Sequence, residues 1–372
     1  MDRKRALIYP YDNESAFLLR FNHLNKAFDS IGAVSPRGWG LVGKDAGAAD
    51  GGDELGPIVV KDFEEYNNKD YDAVALVDSF KELDFEKIVY PKLKLLASKG
   101  KDIICLKKID SFHLKLLEEL CSNNDVSFRH FVDEKKPDMP QFTNILDIDV
   151  PVVFVLGLGD RTQKFNIQLS LWEGLKSLGY NVSQIGSKNY GNIFGFHSFP
   201  DFMLNNNIAE QDKVILFNRT IKRIEINEKP DVIIIGIPGG IMSINKDIAQ
   251  GFGIIPYMVS QAVKADASIL SIYYEEYNAD FFKEIELLAR YRFRTPIDCF
   301  NLSNIKIDYA EVEQSRQMSY LMVDRAFIDN KKNKYEGTNK TFFNILNKND
   351  QRNMAQYIVN VLSGEEAIED VL

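Results

Sequence analysis

"PVVFVLGLGDRTQKFNIQLSLWEGLKSLGY", residues 151–180, is an apolar run ending at Gly157, a short polar loop ending at Lys164, and a long amphipathic segment. A strand that ends in glycine and feeds a helix aims free backbone N–H groups, and the positive end of the helix, at one point. That is the layout of a phosphate-binding loop. Gly157 and Gly159 permit positive φ and close approach of a phosphate, and Lys164 supplies the charge that reaches the terminal phosphates. Lys164 lies one residue further from Gly157 than the common pattern places it. Gln163 stands where the second glycine belongs, and Phe165 where a Mg²⁺-binding Ser or Thr belongs. Thr162 is close enough to offer a substitute hydroxyl. Gly157, Gly159, Asp160, Arg161, Thr162, Gln163, Lys164 and Phe165 are therefore the candidate ligand-binding residues. An ordinary strand-to-helix turn fits the same spacing.

The surrounding sequence repeats this rhythm. "ALIYPY" reads as a strand. "SAFLLRFNHLNKAFDSIG" reads as a helix behind a Ser15 N-cap, with Phe17, Leu18, Phe21, Leu24 and Phe28 on one face. "YDAVALVD" and "KDIICL" read as buried strands separated by a helix through Ile88 to Leu96, and "SFHLKLLEELCS" as a further helix. Residues 131–150 are charged and carry Pro137 and Pro140, which places a domain boundary there. A second series follows: a strand to Gly157, a helix over 163–178, "NVSQIGS", a helix over 208–227, "PDVIIIGIPGG" and "SILSIYY". A final helix, "DQRNMAQYIVNVLS", has Asp350 as its expected N-cap. Apolar strands alternating with helices imply α/β architecture with parallel sheets covered on both faces.

A chain of 372 residues is too long for one ordinary core. A net charge of −9 without a basic stripe argues against nucleic acid. The apolar start is broken by Pro10 and Asp12, too early for a secretory signal. No run is long and apolar enough for a membrane span, so the expected location is the cytoplasm. Cys105, Cys121 and Cys299 are scattered, making neither a disulfide framework nor a metal cluster.

The chain resembles a two-domain family, a Rossmann-like domain followed by a P-loop domain, that includes D-glutamate N-acetyltransferase-like proteins. The resemblance rests on the Gly157-to-Lys164 spacing, on "GKDAG" at Gly43–Gly47, on "GPIVVKDFEEY" after it, and on a Gly-rich segment ending at Asp201. It implies a Rossmann-like domain over 1–145, a degenerate P-loop NTPase-like domain over 146–325, and a C-terminal helical extension over 326–372. In that family the strand matching "PDVIIIGIPGG" ends in a glutamate that holds Mg²⁺ or its water. Gly236 takes that place here. Asp160 and Asp201 are the acids left to compensate. "SQIGSKNYGNIFGFHSFPDF" and "IIIGIPGGIM" are similar, more narrowly, to clostridial-type peptide maturation system proteins. That similarity implies a radical SAM maturase, a precursor peptide and an acyl-carrier-like protein as partners.

Further candidates lie outside the loop. Gly239 and Gly240 permit a turn that packs against a ligand or simply turns the chain. His197 and Asp201 are the candidate catalytic pair, with a structural histidine and a helix cap as the plain alternatives. Ser187 and Lys188 follow a strand and suit a phosphate or a surface turn. Tyr273, Tyr274 and Tyr277, beside Glu275 and Glu276, suit a basic peptide or an internal covering of the sheet. The expected function is a nucleotide- or phosphate-ligand-binding component of a peptide maturation system, with ATP, GTP or acyl-CoA as ligand. Mg²⁺ is an open question. An acyltransferase or ATP-dependent ligase, and a non-catalytic scaffold, are the alternatives.

Overall fold

The computed structural model describes residues 3–132, 143–246, 248–335 and 340–364. Residues 133–142, half of the charged segment read as a domain boundary, lie outside the described residues. Residues up to 132 together with Asn192–Gly195 form one compact unit, and the remainder form another.

The first unit is built on five parallel strands: β1 (Lys4–Tyr9), β2 (Phe28–Ala33), β3 (Ala73–Leu76), β4 (Asp102–Cys105) and β5 (Phe128–His130). Their spatial order, β2-β1-β3-β4-β5, is the flavodoxin-like form of the doubly wound fold. Helices α1 (Phe17–Arg20), α2 (Tyr90–Ser98) and α3 (Ser111–Asn123) connect them. Leu7, Tyr9, Val74, Leu76, Ile103 and Cys105 meet Leu93 and Leu96 of α2 and Leu117 and Leu120 of α3 in one core. Asp110 caps α3, its carboxylate accepting from the His113 amide at 2.9 Å.

The helix expected from Ser15 onward is not there. α1 is a single turn, and its N-cap is Ala16. Ser15 Oγ instead accepts from the Asp12 amide. Phe28, expected on the helical face, opens β2. In "GPIVVK", where the resemblance implies an apolar strand, the bridges are isolated, Val59 to Asp45 and Lys61 to Val34. The acidic helix after it is one turn, Phe63–Glu65, closed by a capping box between Asp62 and Glu65.

The second unit carries β6 (Val152–Gly157), β7 (Val182–Ile185), β8 (Val232–Gly236), β9 (Ala267–Ile272), β10 (Cys299–Leu302) and β13 (Thr341–Phe343) in one parallel sheet of order β13-β10-β9-β6-β8-β7. A separate ribbon pairs β11 (Ile305–Ile307) with β12 (Tyr320–Met322). The helices are α4 (Lys164–Ser177), α5 (Glu210–Glu228), α6 (Ile254–Ala262), α7 (Ala279–Leu288), α8 (Tyr309–Ser315), α9 (Arg325–Lys334) and α10 (Lys348–Ser363). All of β6 is buried, as an apolar run bounded by sheet neighbours and helices must be. α10 lies on α4, and a Cβ at Gly174 would sit 2.5 Å from the Ala355 methyl. The helical extension expected after 326 is therefore joined to this sheet, through α10 and edge strand β13. Its last helix is capped by Asn347, not by Asp350. Asp350 sits inside the first turn and accepts from Asn344 N and Lys332. Among the described residues no helix is long and apolar enough to cross a membrane.

Candidate phosphate site

β6 is central in its sheet, so the loop that follows it emerges between neighbours. Leu158 N donates to Ser271 O of β9 at 2.8 Å, and Ile241 N, beyond β8, donates to Gly157 O at 3.0 Å. The turn after β8 thereby closes onto the loop after β6. Gly239 takes a positive φ of 80° there, and a Cβ on Gly240 would lie 2.7 Å from Leu158 O. The two glycine runs singled out in the sequence thus meet backbone to backbone.

Lys164 opens α4 and is only 7% exposed. Its ammonium donates to Gly159 O at 2.9 Å and to Gly239 O at 2.7 Å, spanning both turns. Gly157 is glycine because a Cβ there would lie 2.5 Å from Thr162 Oγ1 and 2.7 Å from Lys164 Nζ. Gly159 is glycine because a Cβ would strike the Tyr273 hydroxyl. Neither takes the positive φ expected of it. That geometry falls on Arg161 (φ 60°) and Gln163 (φ 63°). Left-handed residues alternating with others turn successive N–H groups toward one concavity, which suits an anion.

Neighbouring elements hold the loop in place. Tyr273 OH donates to Asp160 O at 2.7 Å, Gln250 Oε1 accepts from Asp160 N at 2.9 Å, and Ser271 Oγ donates to Thr162 O. Burial pushes the Tyr273 hydroxyl pKa far above its ordinary value, so it stays a neutral donor. Gln163 Nε2 donates to Asn304 Oδ1 at 3.0 Å, while its own Oε1 is buried without a hydrogen-bond partner. The Arg161 guanidinium lies 5.6 Å from the centre of the Tyr320 ring. A cavity of about 610 Å³ opens beside Asp160 and Gln250, lined also by Lys246, Tyr309 and Arg316. Ser271, Gln250 and Asn304 were not singled out in the sequence, and Tyr273 was named there only for a peptide-binding face or an internal covering of the sheet. They come from segments joined only by the fold, and the one available signal was the polar end of "SILSIYY".

The set fits a phosphate better than a metal. Phe165 is buried, packed 6.0 Å from the rings of both Tyr190 and Phe196. It offers no metal ligand, and Thr162 Oγ1 donates to Gly159 O at 3.2 Å. Below Gly236 lies the Gln168 side chain, whose Nε2 donates to Ile185 O and whose Oε1 accepts from Ser187 N, both at 2.8 Å. An acid at 236 would displace that amide. Among the described residues no group of three His, Cys, Asp or Glu side chains is arranged for a metal.

The chain is similar in fold to a solved DUF1611 family protein. That protein, from Anabaena variabilis, matches with a TM-score of 0.62 over 97% of this chain and 99% of its own, at 10% identity. At that identity the likeness shows the fold alone. The MinD cell division protein of Aquifex aeolicus matches with a TM-score of 0.32 and 16% identity, covering 59% of this chain and 97% of that one. A nucleotide-binding protein in complex with ADP from Archaeoglobus fulgidus matches with a TM-score of 0.30 and 12% identity, over 56% and 86%. No family model and no curated protein matches the sequence.

The remaining candidates have partners of their own. His197 bonds through Nε2 to Glu228 at 2.5 Å. Glu228 ends α5 and also meets Ser183 of β7, while the His197 backbone bridges Ile185, the last residue of that strand. Asp201 opens a short turn, Asp201–Leu204, whose cap position is Pro200. Ser187 is tied by its amide to Gln168, and the Lys188 ammonium lies 5.8 Å from the Tyr190 ring centre. Of the tyrosines offered as a peptide-binding face, Tyr273 and Tyr277 pack inward and Tyr274 is half-buried. Tyr273 is 1% exposed, Tyr277 OH donates to Tyr273 O at 3.1 Å, and Tyr277 stacks on Phe281. Lys331 lies over the Tyr274 ring and pairs with Glu276. Aromatic burial beside β9 outweighs display.

Proposed function

We propose that the loop from Gly157 to Lys164 binds the terminal phosphates of a nucleotide-type ligand, ATP, GTP or an acyl-CoA. The observation that carries this is the Lys164 ammonium, held by carbonyls of both glycine turns at the start of α4. A phosphate entering the concavity replaces those carbonyls as the partner of Lys164, with the first-turn N–H groups of α4 as further donors. Bound Mg²⁺ would supply charge neutralisation, and this chain offers it no hydroxyl at Phe165 and no acid at Gly236. Binding with slow turnover follows.

Calorimetric titration with ATP, GTP and acetyl-CoA tests the reading. Lys164→Ala should weaken the ligand that binds by ~2 kcal/mol or more, the scale of a lost charge-assisted contact. Unchanged affinity in a folded Lys164→Ala chain would sink the proposal. Rapid hydrolysis that depends on Lys164 would sink its second half. Stabilisation by acetyl-CoA alone would favour the acyltransferase alternative, because a ligand binding only the folded state raises its stability.

We further propose that this binding serves peptide maturation in the cytoplasm, with a radical SAM maturase, a precursor peptide or an acyl-carrier-like protein as partner. What supports it is the sequence resemblance through "FGFHSFPDF". Interferometry with those partners, with and without nucleotide, should detect binding. Silence from all of them leaves phosphate binding standing and removes the setting.

A further inference from the structure

In a strand, side chains alternate between the two faces of the sheet. Leu7 and Tyr9 of β1, Ile103 of β4 and Phe128 of β5 meet the core under α2 and α3, so Lys4, Asp102 and Arg129 stand on the opposite face. A cleft of about 490 Å³ opens there, with Arg3, Lys4, Lys26 and Arg129 in its wall. The rest of the wall is Ala27, Ser127, Phe131 and Asn192, with no acidic side chain among the described residues. Two of the four cations are already neutralised: Arg3 pairs with Asp29 at 2.6 Å, and Lys4 pairs with Asp102. The other two are not. Arg129 donates to Ala27 O at 3.3 Å and lies over the Phe131 ring, and Lys26 has no carboxylate partner among the described residues.

Two uncompensated cations facing one cleft are unusual in a chain of net charge −9. Their mutual repulsion is relieved by a bound dianion, and the Ser127 hydroxyl and Asn192 amide add neutral donors. We propose that this cleft is a second anion site, taking a small phosphorylated molecule (a phosphate monoester or a diphosphate). The guanidinium fork of Arg129 matches two oxygens of one phosphoryl group, Lys26 acts as a point charge, and Phe131 gives the organic part an apolar wall. A polynucleotide fits less well, since the basic surface is a bounded cleft and the chain as a whole repels polyanions.

Pyrophosphate is the probe, titrated calorimetrically into the full chain carrying Lys164→Ala, which silences the loop site. Binding should persist there, weaken with added salt, and lose about tenfold or more when Lys26→Ala and Arg129→Ala are introduced together. Both side chains are exposed, so an unchanged melting temperature will confirm that the variant is folded. No pyrophosphate binding in Lys164→Ala, or binding indifferent to the Lys26 and Arg129 changes, overturns the site. Citrate binding more tightly than pyrophosphate overturns the phosphoryl assignment. A loop site that fails while this one binds would leave the proposal intact, so the two readings stand or fall separately.

Discussion

A Cβ built on Gly159 runs into the Tyr273 hydroxyl, which is itself buried and bonded to Asp160 O. Forcing an extra carbon into such a contact costs ~1–3 kcal/mol. Gly159→Ala should therefore lower the melting temperature, and adding Tyr273→Phe, which removes the oxygen, should restore part of the loss. Calorimetry on the two single variants and the double variant decides it. Simple additivity would show that the two residues do not collide. Sequence reading gave Gly159 a positive φ and a phosphate close by; the structure shows no positive φ there, and the Tyr273 ring against it. A missing Cβ serves either an unusual φ or a close neighbour, and only the neighbour, more than a hundred positions away, distinguishes them. The left-handed positions went to Arg161 and Gln163, which composition does not mark.

Polar side chains link β9, β10 and the segment after β13 to the loop. Asn301 Nδ2 donates to Ser271 Oγ at 2.9 Å while its Oδ1 accepts from Ile345 N at 2.9 Å, and Ser271 in turn reaches Thr162 O. Asn301 is fully buried. Asn301→Ala strands the Ile345 N–H and should cost about 1–3 kcal/mol. A chemical denaturation curve gives that number, and a shift below a few tenths would mean that water or a rearrangement takes over. The long apolar and amphipathic runs, β6 with α4 and β8 with the turn after it, were legible because each spans enough residues to show its period. The elements from β10 to β13 were not. Their strands are three or four residues long, too short for a period to appear. Between Ser15 and Phe28 the reverse happened: aromatic spacing imitated one helix where a turn and a strand share the residues.

Across the whole chain, parallel sheets in α/β order follow from near-continuous apolar strands, and that much could be read without coordinates. Which strands neighbour each other could not, and so neither could the bridge of His197 to Ile185 or its bond to Glu228. One property belongs to the molecule as a whole. Burial holds the hydroxyls of Tyr11, Tyr273 and Tyr277 protonated well above their ordinary range. In the unfolded chain they ionise near pH ~10. Above that pH the unfolded state sheds protons that the folded state keeps, so stability is full below it and falls as pH rises. The melting temperature should hold to about pH 9.5 and then decline, less steeply in Tyr273→Phe. An identical slope in that variant would assign the decline to other groups. The outermost strand of the second sheet, β13, has a further consequence, one of timing. It pairs with β10 but is encoded after it, with β11, α8, β12 and α9 between. A growing polypeptide emerges from the ribosome with β10 already present and its partner not yet made. Until Thr341–Phe343 arrive, the β10 backbone is an open edge that a neighbouring nascent chain can join. The interval between the synthesis of β10 and that of β13 is therefore one in which this sheet is exposed to aggregation and a chaperone has work to do.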